Sequence, residues 1–100
     1  MKSARFHAEA QVELFAESQY YEERSAGLGR LFIEAVESAV RLASTFPEAG
    51  SPYRYGTRRV FPKRFPFSVV YQVLENEIVI LAIAPFPRKP TYWHARQRNR

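Results

Sequence analysis

An α+β fold, a helical hairpin packed on one face of a small and mainly antiparallel sheet, is predicted by three observations. Residues 8–24 form a stretch without Gly or Pro, separated by only a few residues from a second stretch with one clean apolar stripe. Three short segments rich in β-branched and aromatic residues follow, all after Pro47. Helices then strands, in runs and not in alternation, are the pattern of an α+β chain. The predicted order is β-α-α-β-β-β with a short C-terminal tail.

Taken in order, a short strand is expected at 4–6. The first helix is rich in Ala, Glu and Gln; Leu14, Ser18 and Tyr21 share a face, as do Val12 and Phe15. Ser25-Ala26-Gly27 ends it, because Gly accepts the left-handed turn conformation. In the second helix Leu28, Phe32, Ala35, Val36, Ala39, Leu42, Ala43 and Phe46 recur at helical spacing, and Arg30, Glu34, Glu37, Ser38 and Arg41 lie off the stripe. Pro47 stops it, and 47–56, with two Pro and two Gly, reads as a loop. Strands are predicted at about 57–61, 65–74 and 77–84. Phe67, Val69, Tyr71 and Val73 point to one side of the middle strand; Ser68, Val70, Gln72 and Leu74 point to the other. Glu75-Asn76 is a tight turn, so the last two strands form an antiparallel hairpin. Pro85, Pro87 and Pro90 oppose further pairing. The tail from Thr91 is expected to make one helical turn and then fray.

The strand around Ile78-Val79-Ile80-Leu81-Ala82-Ile83 is apolar on both sides. A helical hairpin covers one side only. The second side therefore needs a cover: the tail, another subunit or a partner peptide.

One hundred residues make one domain, 1–100. There is no Cys, which removes disulfides and thiolate zinc sites and fits a reducing cytoplasm. No 18-residue apolar run and no signal-peptide core occur, so a cytoplasmic chain with no membrane partner is expected. With two His, a His-rich metal site is not expected.

Charge is sharply asymmetric. Residues 1–50 carry five Lys/Arg against eight Glu, a balance of −3; residues 51–100 carry ten against two, a balance of +8. Two acid-free runs hold the bases: Arg54, Arg58, Arg59, Lys63 and Arg64, then Arg88, Lys89, Arg96, Arg98 and Arg100, with Tyr53, Tyr55, Phe61, Phe65, Tyr92 and Trp93 among them. Such a surface suits a polyanion or an acidic protein partner.

Other chemistry finds little support. His7 reads as a boundary residue before the first helix. His94 has no Asp or Glu within fifteen residues to orient it as a general acid or base. No serine sits in a nucleophile elbow, no Gly-rich phosphate loop exists, and the helical Glu residues read as a mostly solvated face. Metal-free RNA cleavage needs cations for the phosphorane-like transition state and groups that move protons. Arg59, Lys63, Arg64, Arg88 and Lys89 with Tyr92 are the candidates. The competing reading is a basic rim that binds a target or partner.

The element order, with Phe6-His7-Ala8-Glu9-Ala10, Tyr20-Tyr21-Glu22-Glu23-Arg24, Gly27-Leu28-Gly29, Phe46-Pro47, Arg58-Arg59, Arg64-Phe65-Pro66-Phe67-Ser68-Val69-Val70-Tyr71, Ile78-Val79-Ile80-Leu81-Ala82-Ile83-Ala84, and Arg88 with Pro90-Thr91-Tyr92-Trp93, resembles the RelE/ParE family of toxins from type II toxin–antitoxin (plasmid stabilisation) systems. The resemblance runs from residue 4 to about 97. It implies a growth-inhibiting toxin neutralised in complex with a cognate antitoxin, whose wrapping segment would cover the second side of the sheet. No cofactor is implied. RelE-like members cut mRNA on the ribosome; ParE-like members share the fold and inhibit DNA gyrase. This chain departs from the RelE pattern. Ser68 stands where an Arg is expected, Pro85 where many relatives carry His, and Pro87 where a further Arg is expected. Arg88 and Tyr92 would be the catalytic pair only in a ribonuclease. The resemblance thus favours the ParE-like branch. The alternatives are a ribosome-dependent mRNA endonuclease and a degenerate toxin that only binds its antitoxin. A basic target-binding surface of Arg58, Arg59, Lys63, Arg64, Arg88 and Lys89 is expected in the ParE-like reading.

Overall fold

The chain opens with an edge strand and then crosses over two helices before the sheet is completed. In the computed structural model, which describes residues 1–100, the elements are β1 (Ser3–Phe6), α1 (Ala8–Arg24), α2 (Leu28–Thr45), β2 (Ser51–Pro52), β3 (Arg58–Val60), β4 (Phe67–Val73) and β5 (Glu77–Pro85). Short 3-10 turns occupy Arg54–Gly56 and His94–Arg98. The sheet order is β1-β5-β4-β3-β2. Only the β1–β5 pair is parallel, which the intervening helical crossover permits; the other three pairs are antiparallel. The two-residue β2 was not legible in the sequence. It exists because Ser51 and Pro52 lie opposite Arg59 and Arg58 at the far edge, where proline costs no interior hydrogen bond.

α1 starts where His7 caps it: the ring Nδ1 accepts the Glu9 N–H at 3.0 Å, and the His7 N–H donates to the Ile80 carbonyl at 2.9 Å. His7 is thus a structural cap joining helix and sheet. The hairpin turns at Gly27, whose φ of +88° suits a residue without Cβ. No side chain at Gly27 caps α2. Instead the Glu22 carboxylate reaches across from α1 and accepts the N–H groups of Gly27 (2.9 Å) and Gly29 (3.0 Å). An acid at a helix N-terminus also meets the positive end of the helix dipole.

The helix-facing core joins Phe32, Val36, Ala39, Val40 and Ala43 of α2 to Val60, Phe67, Val69, Tyr71, Ile78, Ile80 and Ile83. The tyrosine hydroxyl of this core is also satisfied. It donates to the Pro47 carbonyl at 2.7 Å and accepts the Gly50 N–H at 3.0 Å, and burial raises its pKa. Gly50 is required there, since a Cβ would collide with the Tyr71 ring and hydroxyl.

β5 faces two cores and changes phase once. Ile78, Ile80 and Ile83 join the helix side, while Val79, Leu81 and Ala82 join the opposite side. The pairing register jumps from Val70↔Ala82 to Tyr71↔Ile80, leaving Leu81 as an extra residue. This bulge inserts one residue and so puts two neighbours on the same side. The alternation of a regular strand is broken there.

The second side of the sheet is covered by the chain itself. Val70, Val79, Leu81 and Ala82 pack with Trp93 of the tail, which is fully buried, and with Tyr53, Leu74, Ala84 and Tyr92 around them. The expectation that an antitoxin covers this side is therefore corrected: the tail fills it. The tail makes its helical turn but does not fray. Asn99 reaches the His7 ring at 3.3 Å, and the Arg100 carbonyl accepts from Arg5 at 2.6 Å.

The tail is held chiefly by Glu13, a residue expected on a solvated face. β1 ends opposite Ile80, so β5 has no strand neighbour on that side beyond it. Glu13 accepts the Ile83 N–H (3.0 Å), and Arg96 donates to the Leu81 carbonyl (2.9 Å). Glu13 and Arg96 pair in two contacts, at 2.8 and 3.0 Å, with side chains only 18% and 14% exposed. An ion pair thus closes the open strand edge that would otherwise invite pairing with another chain.

Candidate functional site

The six bases expected to form one surface separate into three places. Residues along β3 alternate sides. Arg58 points to the helix side and donates to the carbonyls of Glu48 (3.2 Å) and Gly50 (2.7 Å), where it holds the 48–50 loop. Lys63 and Arg64 lie in the β3–β4 connection beside α2. Arg59, Arg88 and Lys89 come together on the tail side, in a cleft of about 110 Å³ also lined by Tyr53, Ser68, Phe86 and Trp93. No acid lines this cleft.

Its geometry is set by stacking. The Arg59 guanidinium carbon lies 4.0 Å from the Tyr53 ring centroid and 5.2 Å from that of Phe61. Arg88 lies 4.0 Å from the Tyr92 ring centroid. Each arginine rests a face on an aromatic ring, which fixes the planar group while leaving edge N–H groups for a ligand. The buried Nε of Arg59 has no hydrogen-bond partner in the chain.

Tyr92 is committed elsewhere. Its hydroxyl donates to Glu13 at 2.8 Å. Burial first, then that hydrogen bond and the Glu13 charge, raise its pKa well above the tyrosine range. A phenol held neutral and already donating is a poor proton carrier at neutral pH. His94 is exposed, stacks on Tyr55 with centroids 3.6 Å apart, pairs with Gln97 at 2.8 Å, and is not among the residues lining the cleft. Ser68, at the position where RelE-like chains are expected to carry Arg, lines the cleft as a buried hydroxyl, and Pro85 lines it as well. The arrangement can hold an anion. No carboxylate or imidazole lines the cleft to take a proton from one, and Lys89 is the only charged lining group other than the arginines that carries a proton to give.

Lys63 and Arg64 belong to a separate groove along the outer edge of α2. Two hollows of about 530 and 260 Å³ share Ala35, Ser38 and Lys63. Leu28, Leu31, Phe65 and Pro66 line one and Leu42, Phe61 and Pro62 the other. Leu31, Leu42 and Phe61 are each about half exposed, and Phe46 near the end of the same helix is 61% exposed. The helical stripe predicts Leu42 and Phe46 in the core. α2 is rotated so that its centre is buried by Phe32, Val36 and Val40, which leaves Leu42 on the rim. Arg64 has a φ of +74°, a strained setting for a residue with a side chain.

No three His, Cys, Asp or Glu side chains gather where a metal could be held. No helix is long and apolar enough to cross a membrane.

Similarity to known proteins agrees with this layout. The family model for the ParE toxin of the type II toxin–antitoxin system parDE matches residues 4–85. No curated protein sequence matches the chain. Among solved structures, a chain of the chromosomal ParDE toxin–antitoxin system from P. aeruginosa is similar, with a TM-score of 0.63 and 25% identity over 85% of this chain and 96% of that one. The match spans the parallel edge strand, the helical hairpin and the antiparallel strands through β5, and this chain belongs to the ParE toxin family of type II toxin–antitoxin systems.

Proposed function

We propose that this chain is the toxin of a cytoplasmic type II module, that a cognate antitoxin neutralises it, and that it arrests growth by inhibiting DNA gyrase without cutting RNA. The observation that carries the non-nucleolytic reading is the state of Tyr92: the tyrosine of the expected catalytic pair donates to Glu13 inside the tail clamp. Ser68 and Pro87, at the positions where RelE-like chains are expected to carry Arg, supply no positive charge to a phosphate. Losing one electrostatic donor commonly slows such a reaction about 10²–10³-fold. Expressed alone, the chain is expected to stop growth and relax plasmid DNA while primer extension finds mRNA intact. Codon-specific cuts on ribosomes that disappear in Arg88→Ala would instead establish the mRNA-endonuclease reading.

The antitoxin's docking place, in this reading, is the α2 groove, since the tail already fills the second side of the sheet. Apolar anchors between Leu31, Leu42 and Phe61, with Lys63 and Arg64 on one rim and Glu34, paired with Arg30, on the other, suit an amphipathic helix whose one flank is acidic. Such rim charges act mainly on association rate and salt dependence, whereas the apolar anchors carry affinity. Leu31→Glu combined with Leu42→Glu should leave growth arrest intact but abolish its rescue by the co-expressed antitoxin. Full rescue of that double variant would move the interface elsewhere.

A further inference from the structure

We propose that the cleft between β3, the 85–90 loop and the tail is a phosphate subsite, built by Arg59, Arg88 and Lys89, for the phosphate of a nucleotide or nucleic-acid strand. The inference rests on the preceding reading only in that the phosphate is held and not cut.

Four features carry it. First, Arg59, Arg88 and Lys89 all border one small hollow with no acid among the lining residues. A carboxylate is matched by one arginine fork; three cations suit a group that offers several oxygens and more charge. Second, both arginines have a face packed on an aromatic ring, at 4.0 Å in each case, so their planar groups are held before any ligand arrives. Third, Arg59 keeps a buried Nε–H with no partner in the chain. A buried donor left unmade is costly, and a small shift of the guanidinium toward an oxyanion in the cleft would satisfy it. Fourth, the hollow of about 110 Å³ is too small to enclose a base together with its phosphate, yet Phe86 on its wall is 56% exposed and pairs edge-on with Phe61 at 6.1 Å. An exposed aromatic beside a phosphate-sized hollow is the arrangement that stacks a base while cations hold the backbone. That favours a nucleotide or strand over the free ion.

Trp93, the single tryptophan, lines the cleft and reports on its occupancy. The experiment titrates its fluorescence in the purified chain with inorganic phosphate, with adenosine 5′-monophosphate and with a short single-stranded DNA. All three should saturate. Arg59→Ala and Arg88→Ala should weaken each by about tenfold or more. Arg88 is exposed on a loop, so its variant keeps the fold. Phe86→Ala should weaken the mononucleotide and the oligonucleotide but leave inorganic phosphate unchanged. Arg41→Ala, which removes the same charge from the outer surface of α2, should change nothing. Oligonucleotide affinity well above that of the mononucleotide identifies a strand as the ligand; equal affinities identify the nucleotide. Absence of saturation with all three, or equal weakening in Arg41→Ala and Arg88→Ala, overturns the subsite. Cleavage of a matching RNA with binding retained overturns the non-nucleolytic reading and leaves the subsite standing.

Discussion

Phe32→Ala is expected to destabilise the chain by about 3–5 kcal/mol, the range for removing a fully buried phenylalanine. The position is the hub of the helix-facing core. Its ring lies 5.2 Å from Tyr21, 5.1 Å from Phe65 and 5.0 Å from Phe67, mostly edge to face. It has no exposed surface. Truncation removes the transfer free energy of the ring and leaves a cavity between a helix and a sheet, both held by backbone hydrogen bonds and unable to close the gap. In a chain of this size the loss should lower the thermal midpoint by roughly 12 °C or more. Circular dichroism melts of the two proteins check this. An unchanged midpoint would rule out the packing of α2 on β4 and β5 described here.

Glu13→Ala should have the second largest effect, about 3 kcal/mol, at the low end for breaking a buried ion pair because the partners keep some exposure. The mechanism differs from that of Phe32. The substitution leaves Arg96 charged without its partner, and it removes the acceptor of the Tyr92 hydroxyl and of the Ile83 N–H. The tail should detach from the sheet, exposing Val70, Val79 and Leu81. Trp93 is the reporter: its emission should shift to the red, and amide exchange should rise at Leu81–Ile83 before the helices open. Glu13→Gln keeps the acceptor oxygen but not the charge and should fall between the two. If Trp93 emission stays unshifted in Glu13→Ala, the clamp is not what holds the tail.

Much of the fold was legible because its signals are local. The α2 stripe, the Pro47 stop, the Gly27 turn and the Glu75-Asn76 hairpin each depend on residues within one or two turns of chain. What was not legible depends on pairings distant in sequence. β1 pairs with β5 across more than seventy residues, and nothing in Ser3–Phe6 announces its parallel neighbour. Leu81 gives no sign of being a bulge, since an apolar run of six reads the same in either phase. Glu13 looks like any surface acid of an Ala- and Glu-rich helix until Arg96 arrives from the far end of the chain. The site was half legible for the same reason. The acid-free basic runs marked Arg59, Arg88 and Lys89. Runs of sequence do not say which side of a strand a base takes, and so Arg58 and Arg59, adjacent in the chain, serve opposite faces of the sheet.

Inhibition of gyrase without RNA cleavage can be read in purified components. Folded chain is added to DNA gyrase, ATP and relaxed plasmid, and in parallel to programmed ribosomes with defined mRNA. Supercoiling should fall with dose while the mRNA stays full length, and preincubated antitoxin should restore supercoiling. Unimpaired supercoiling, together with mRNA cut in the ribosomal A site, would contradict gyrase inhibition without cleavage.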